Sequence, residues 1–274
     1  MDTPLEQALA RHRSGDLAGA EALYRATLAR DPAHVDALHL LGVLTHQQGR
    51  DQEALALIDQ ALAYTPSAAA YTNRAAVLSA LGRLEAALDS HDLALRQAAD
   101  LPQAHAGKGE VLLALARPAE ALASYDRALA LRADHAGSWL GRGYALQALG
   151  RHEAALASYD RALACDPGHA VAWLNRGVAL EALGQPAASV ASYDQALALR
   201  PDDARTHANR GNALHALGRH AAAVESYARA IACGLERRRY GSAMATRCRR
   251  WIGTLLRWSA MTAPWRCGPT MSRR

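Results

Sequence analysis

AGSWLGRGYALQALGRHEAALASYDRALACDPGH, residues 136–169, runs directly into AVAWLNRGVALEALGQPAASVASYDQALALRPDD, residues 170–203, and the two 34-residue stretches share 19 positions. In the first, Trp139, Leu140, Ala145, Leu146 and Leu149 precede Gly150, and Ala154, Tyr159, Ala162 and Leu163 precede Pro167. The second repeats this order from Trp173 to Pro201. Apolar positions return at helical spacing, a glycine interrupts them midway and a proline closes the unit, so each reads as helix, tight turn, helix, stop. Two short amphipathic helices cannot bury their apolar faces alone, and such units therefore stack.

The frame extends outward to seven units: 1–34, 35–67, 68–101, 102–135, 136–169, 170–203 and 204–237, the second one residue short. A small residue recurs inside each first helix (Ala8, Gly42, Ala75, Gly109, Gly143, Gly177, Gly211), and small residues such as Ala121, Ser189 and Ala223 recur in the second. Their spacing predicts that they face each other where the helix axes come close. The turn glycine is replaced once, by Ala116, and the tyrosine of the second helix is replaced by Ile58 and His91. Unit three departs most, and its junction near residues 97–102 is where the register is least defined.

The order W-x-x-R-G, A-L-G-R, A-x-x-S-Y-D-x-A-L and P at a period of 34 resembles the tetratricopeptide repeat (TPR). The resemblance implies an all-α, right-handed solenoid whose first helices line a concave groove that takes a peptide or a partner segment. Helical phase then nominates Asn73, Glu110, Tyr144, Gln147, Asn175, Glu181, Asn209, Asn212 and His215 as groove residues. Asn73, Asn175 and Asn209 share one position and are similar to the asparagine ladder of O-linked N-acetylglucosaminyltransferases, where side-chain amides hold a peptide backbone; Gly107 and Gly141 interrupt the series. The alternative is a row of solvated polar side chains. The basic clamp of chaperone-binding TPRs matches poorly, since Lys108 is the sole lysine.

Bulk properties narrow the function classes. No apolar run of ~18 residues and no basic-then-apolar start is present, so neither a membrane span nor a signal peptide is expected and the default compartment is the cytoplasm. Cys165, Cys233, Cys248 and Cys267 form no C-x-x-C and read as reduced. The histidines lack a helical H-x-x-x-H pair, and His34, His135 and His169 fall at one repeat junction, which reads as solvent-facing. No nucleophile elbow or phosphate-binding loop occurs. No metal, cofactor or catalytic residue is expected, and the chain reads as a non-enzymatic scaffold.

Residues 238–274 hold nine Arg and no acid, which leaves a net −4 on the first 237 residues of a chain whose total is +5. Within 238–262, Trp251, Ile252 and Leu255 lie on one face of a basic amphipathic helix. It reads as a cap on the last repeat, alternatively as a surface for anionic membrane or nucleic acid, and 263–274 reads as disordered. A further alternative is that the repeats are the substrate-recognition region of a truncated TPR-containing glycosyltransferase.

One regularity is internal to the chain. Asp59, Asp92, Asp126, Asp160 and Asp194 each follow the tyrosine position, and the next unit in each case carries a base before its small residue: Arg74, Lys108, Arg142, Arg176 and Arg210. Unit one has Arg25 in place of the acid, and unit two correspondingly has Leu41 in place of the base. This predicts a ladder of ion pairs between neighbouring repeats; the alternative is that both charges reach solvent separately.

Overall fold

The computed structural model describes residues 3–234, which form fourteen α-helices and no strand. They fall into two compact units, Met1–Arg151 and His152–Arg274. The first holds α1 (Pro4–Arg13), α2 (Leu17–Arg30), α3 (Val35–Gln47), α4 (Asp51–Tyr64), α5 (Ala68–Ala80), α6 (Leu84–Gln97), α7 (Pro102–Ala114), α8 (Pro118–Leu131) and α9 (Ala136–Ala148). The second holds α10 (His152–Cys165), α11 (Ala170–Ala182), α12 (Pro186–Leu199), α13 (Ala204–Ala216) and α14 (His220–Ala232). The helix expected at 238–262, its packing on the last repeat, and the disordered end expected at 263–274 lie outside the described residues. No described helix is long and apolar enough to cross a membrane.

Each unit is an α-solenoid of helix pairs. In the first, α1 packs on α2, α3 on α4, α5 on α6 and α7 on α8, and each second helix leans on the next first helix. In the second unit α10 packs on α11, α11 on α12, α12 on α13 and α13 on α14. Successive first helices also touch, α5 with α7 and α7 with α9 in one unit, α11 with α13 in the other. Within each unit these first helices therefore share a face.

The turns explain the glycine period. Gly49, Gly82, Gly150, Gly184 and Gly218 have φ between +70° and +76°, a region that suits a residue without Cβ. The Arg83 N–H donates to the Leu78 carbonyl at 2.8 Å and the Gly82 N–H to Ser79 at 3.0 Å, which closes the last turn of α5. Ala116 makes the same bonds' equivalents, with Arg117 N–H to Leu112 at 2.8 Å, and is held at φ +56° despite its methyl group.

One packing expectation is corrected. A Cβ at Gly109, Gly177 or Gly211 would lie 2.8, 2.4 or 2.5 Å from ring atoms of Tyr125, Tyr193 or Tyr227. The small first-helix residue thus makes room for the buried tyrosine ring of the second helix, rather than mainly for its small residues. At Gly42, where the ring is replaced by Ile58, the Ala54 carbonyl oxygen does approach, at 3.2 Å.

Candidate functional site

All five rungs of the expected ladder are present. Asp59 Oδ1 lies 2.6 Å from Arg74 Nε, Asp92 Oδ1 2.6 Å from Lys108 Nζ, and Asp126, Asp160 and Asp194 lie 2.7, 2.7 and 2.6 Å from Nε of Arg142, Arg176 and Arg210. A second contact was not read from the sequence. Nη1 of Arg74, Arg176 and Arg210 donates at 2.9, 2.7 and 2.7 Å to Oγ of Ser90, Ser192 and Ser226 in the second helix of the same repeat. One planar group with five donors therefore ties three helices together. The signal was available: a serine precedes the tyrosine position 16 residues after each of these Arg, while the Asp lies 16 residues before Arg176 and Arg210 and 15 before Arg74. Lys108, a point charge, makes the aspartate contact without such a fork.

Between the first two repeats a different cluster takes over. Glu21 accepts from Arg25 at 2.9 Å and from Arg50 at 2.6 Å, and Glu53 accepts from Arg25 at 2.6 Å and from Arg50 at 2.8 Å. The Arg50 hydrogen bond, reinforced by Arg25 and Gln48, holds the Glu21 carboxyl down at about 2. Basic and acidic side chains on this face are thus consumed in stacking.

The first-helix face of the unit Met1–Arg151 carries a cavity of about 580 Å³ between α5 and α7. Its polar lining includes Thr72, Asn73, Ser79, Gln103, Glu110, His91 and His135, and its apolar wall includes Ala76, Ala106, Val111 and Ala114. Two expected groove residues, Asn73 and Glu110, therefore meet in one cavity. Asn73 Nδ2 lies 2.7 Å from His39 Nε2; an amide NH₂ can only donate, so His39 accepts and the Asn73 carbonyl oxygen is left for another donor. Solvent reaches Glu110 through the mouth, yet the walls crowd its carboxyl enough for burial to push its pKa up, which His135 offsets in part. His91, 4% exposed, is held neutral by burial, its pKa pulled down to about 4, and its Nδ1 has no hydrogen-bond partner.

The cavity is lined in part by the irregular third repeat. His91 stands where five other repeats have tyrosine and repeat two has Ile58, and a Cβ at Gly107 would lie 2.6 Å from its ring. Likewise a Cβ at Gly141 would lie 2.2 Å from Tyr125 Cζ. The interruptions of the asparagine series thus have a steric cause: the ring of the preceding repeat occupies the space. Tyr144 and Gln147, also on this unit, are half-buried on α9.

In the unit His152–Arg274 the expected residues are placed differently. Asn175 is 1% exposed and its Nδ2 donates to the Val171 carbonyl at 2.7 Å, so it is not presented to a ligand as the ladder expectation required. Its position is aligned with glycine in repeats four and five. Asn209 is half-buried on α13. The Tyr193 hydroxyl donates to Glu181 at 2.5 Å, and the Tyr227 hydroxyl to Asn212 at 2.8 Å. Burial, then the Glu181 charge, pushes the Tyr193 phenol up, while burial pushes Glu181 up. His215 Nδ1 lies 3.2 Å from His220 Nδ1. Glu181 and Asn212 thus anchor tyrosine hydroxyls from the groove side.

Two further groups have roles the sequence reading missed. His34, His135 and His169, expected to face solvent, accept from the backbone N–H of Ala37, Ser138 and Ala172 at 3.3, 3.1 and 3.3 Å and so cap α3, α9 and α11. Trp139 and Trp173 donate Nε1 to the carbonyls of Ala133 and Pro167 at 2.8 and 3.0 Å, and His105 and His207 contact carbonyls at the same offset. Each pins the loop entering its repeat. Among the described residues no group of three or more His, Cys, Asp or Glu is placed to hold a metal ion.

Comparison with known proteins now bears on the fold. Models described as tetratricopeptide repeat match residues 11–78, 68–90, 107–170 and 158–191, and one described as TPR repeat matches 182–218. No curated protein matches the sequence. Among solved structures, a tetratricopeptide repeat protein from Parabacteroides merdae is 19% identical, with a TM-score of 0.65 over 92% of this chain and 97% of its own. YrrB, described as a TPR protein with an unusual peptide-binding site, is 24% identical, with a TM-score of 0.56 over 67% of this chain and 95% of its own. MamA is 21% identical, with a TM-score of 0.54 over 61% of this chain and 96% of its own. At these identities the likeness is one of fold, and with repeat models matched in both units the chain belongs to the tetratricopeptide repeat proteins.

Proposed function

We propose that this protein is a non-enzymatic interaction scaffold in the cytoplasm, and that it holds an extended segment of a partner protein on the first-helix face of the unit Met1–Arg151. The observation that carries this reading is the cavity of about 580 Å³ between α5 and α7, where Asn73, Gln103 and Glu110 converge beside apolar walls. A concave site with a few convergent polar groups on an apolar lining suits ligand capture. It is lined in part by the irregular third repeat, and the ladder charges are turned to stacking, which leaves this face free for recognition. The fold shared with YrrB, a TPR protein with a peptide-binding site, supports a peptide ligand.

The test is selection of a display library of random 12-residue peptides on the full chain, alongside Ala76→Trp, which places an indole in the cavity from an exposed position on α5. Peptides enriched by the native chain and lost with Ala76→Trp support the reading. No enrichment, or equal enrichment by the variant, overturns it.

A further inference from the structure

We propose that the cavity between α5 and α7 receives one basic side chain, Lys or Arg, from the segment bound on the first-helix face. This rests on the groove reading above and names the chemistry the segment must carry.

The first observation is a carboxylate outside every ion pair of the described residues. Glu110 has no ion pair among the described residues, and the bases nearest it in sequence are committed elsewhere, Lys108 to Asp92 at 2.6 Å and Arg117 to Glu120 at 2.7 Å. Glu110 is exposed at the cavity mouth, where an incoming cation meets a carboxylate not already held in an ion pair.

The second is a local surplus of acceptors. Asn73 spends its amide donor on His39, which leaves its carbonyl oxygen for a donor, and Gln103 supplies another amide at the wall. His91, 4% exposed, lines the same cavity with Nδ1 unpartnered. Ammonium and guanidinium groups are donors only, with three and five N–H bonds. The third is shape: Ala76, Ala106, Val111 and Ala114 form a wall of short aliphatic side chains, which suits the methylene stem behind a charged head. None of the nine groove candidates is a Lys or Arg that would repel it.

The experiment uses peptides enriched on the full chain at pH 8. An enriched peptide is synthesised with its basic residue and with norleucine in its place, and both are titrated into the native chain, Glu110→Gln and the surface control Glu120→Gln, each checked for helicity by circular dichroism. Enriched peptides are expected to share one Lys or Arg, and norleucine to weaken binding about tenfold or more to the native chain and Glu120→Gln, but not to Glu110→Gln. Asn73→Leu, which removes the second acceptor, is expected to weaken the basic peptide alone. Enriched peptides without a shared base, or a norleucine effect that persists in Glu110→Gln, overturn the cation site while groove binding stands. Failure to enrich any peptide overturns groove binding itself.

Discussion

Arg176 Nε lies 2.7 Å from Asp160 on the preceding repeat while its Nη1 lies 2.7 Å from Ser192 on its own, and its guanidinium carbon sits 5.8 Å from the ring centre of Trp173. The Trp173 indole is itself fixed to the Pro167 carbonyl at 3.0 Å. Loop, first helix and two second helices therefore meet at one side chain. Alanine and leucine surfaces specify stacking register weakly, whereas this cluster admits one arrangement.

Arg176→Lys is expected to destabilise the protein by about 1 kcal/mol although the charge is kept, because the fork and the ring contact are lost. Asp160→Asn, whose side chain is 50% exposed, is expected to cost only about 0–1 kcal/mol. Urea unfolding of the single and double variants checks this: coupling between the two sites is expected, and strict additivity would show that the pair does not interact.

Ala116 is the one described residue other than glycine with positive φ. Ala116→Gly is expected to raise stability by about 1 kcal/mol, and Gly184→Ala, at φ +70°, to lower it by a similar amount. Thermal unfolding of the two variants should shift in opposite directions.

Two groups set the acid side of the stability profile. His91 has its folded pKa lowered from 6.5 to about 4, so the unfolded chain binds the proton first, and stability is lost as pH falls from about 6.5 through about 4. Glu21 has its folded pKa lowered from 4.5 to about 2, so its contribution is present above about 4.5 and is lost as pH falls through about 2. In urea midpoints measured across pH, His91→Tyr should flatten the upper window and Glu21→Gln the lower one. An unchanged slope in either window would contradict the corresponding assignment.

The helix pairs, turns and ladder were legible in the sequence because each is a periodic relation: Gly150 and Gly184, or Asp160 and Asp194, recur at the same offset. The cavity was not, because it joins residues of two different repeats. Asn73 and Glu110 were found by helical phase, but that they line one cavity, beside His91 and Gly107 of two different repeats, is a tertiary relation that phase does not carry. Phase alone also placed Asn175 in the groove, since a helical wheel does not show that the position is buried. The serine arm of Arg176 was overlooked because Ser192 reads as part of the S-Y-D motif rather than as a partner.

Burial raises the folded pKa of Glu110, so its ionisation opposes folding once pH rises above the unfolded value. Glu110→Gln is therefore expected to be more stable than the native chain at pH 7, with the difference vanishing below about pH 4, where both states of the carboxyl are protonated. Thermal melts at the two pH values decide it. A variant less stable at pH 7 would mean that Glu110 already has a favourable partner in the free protein.

Hydrogen exchange of the full chain, with and without an enriched peptide at saturation, tests groove docking most directly. Slowed exchange is expected in α5 and α7, Ala68–Ala80 and Pro102–Ala114, and at the cap of α9 near His135. Protection confined to second helices such as α4 and α8, with α5 and α7 unchanged, would place the ligand on the opposite face and contradict docking between Asn73 and Glu110.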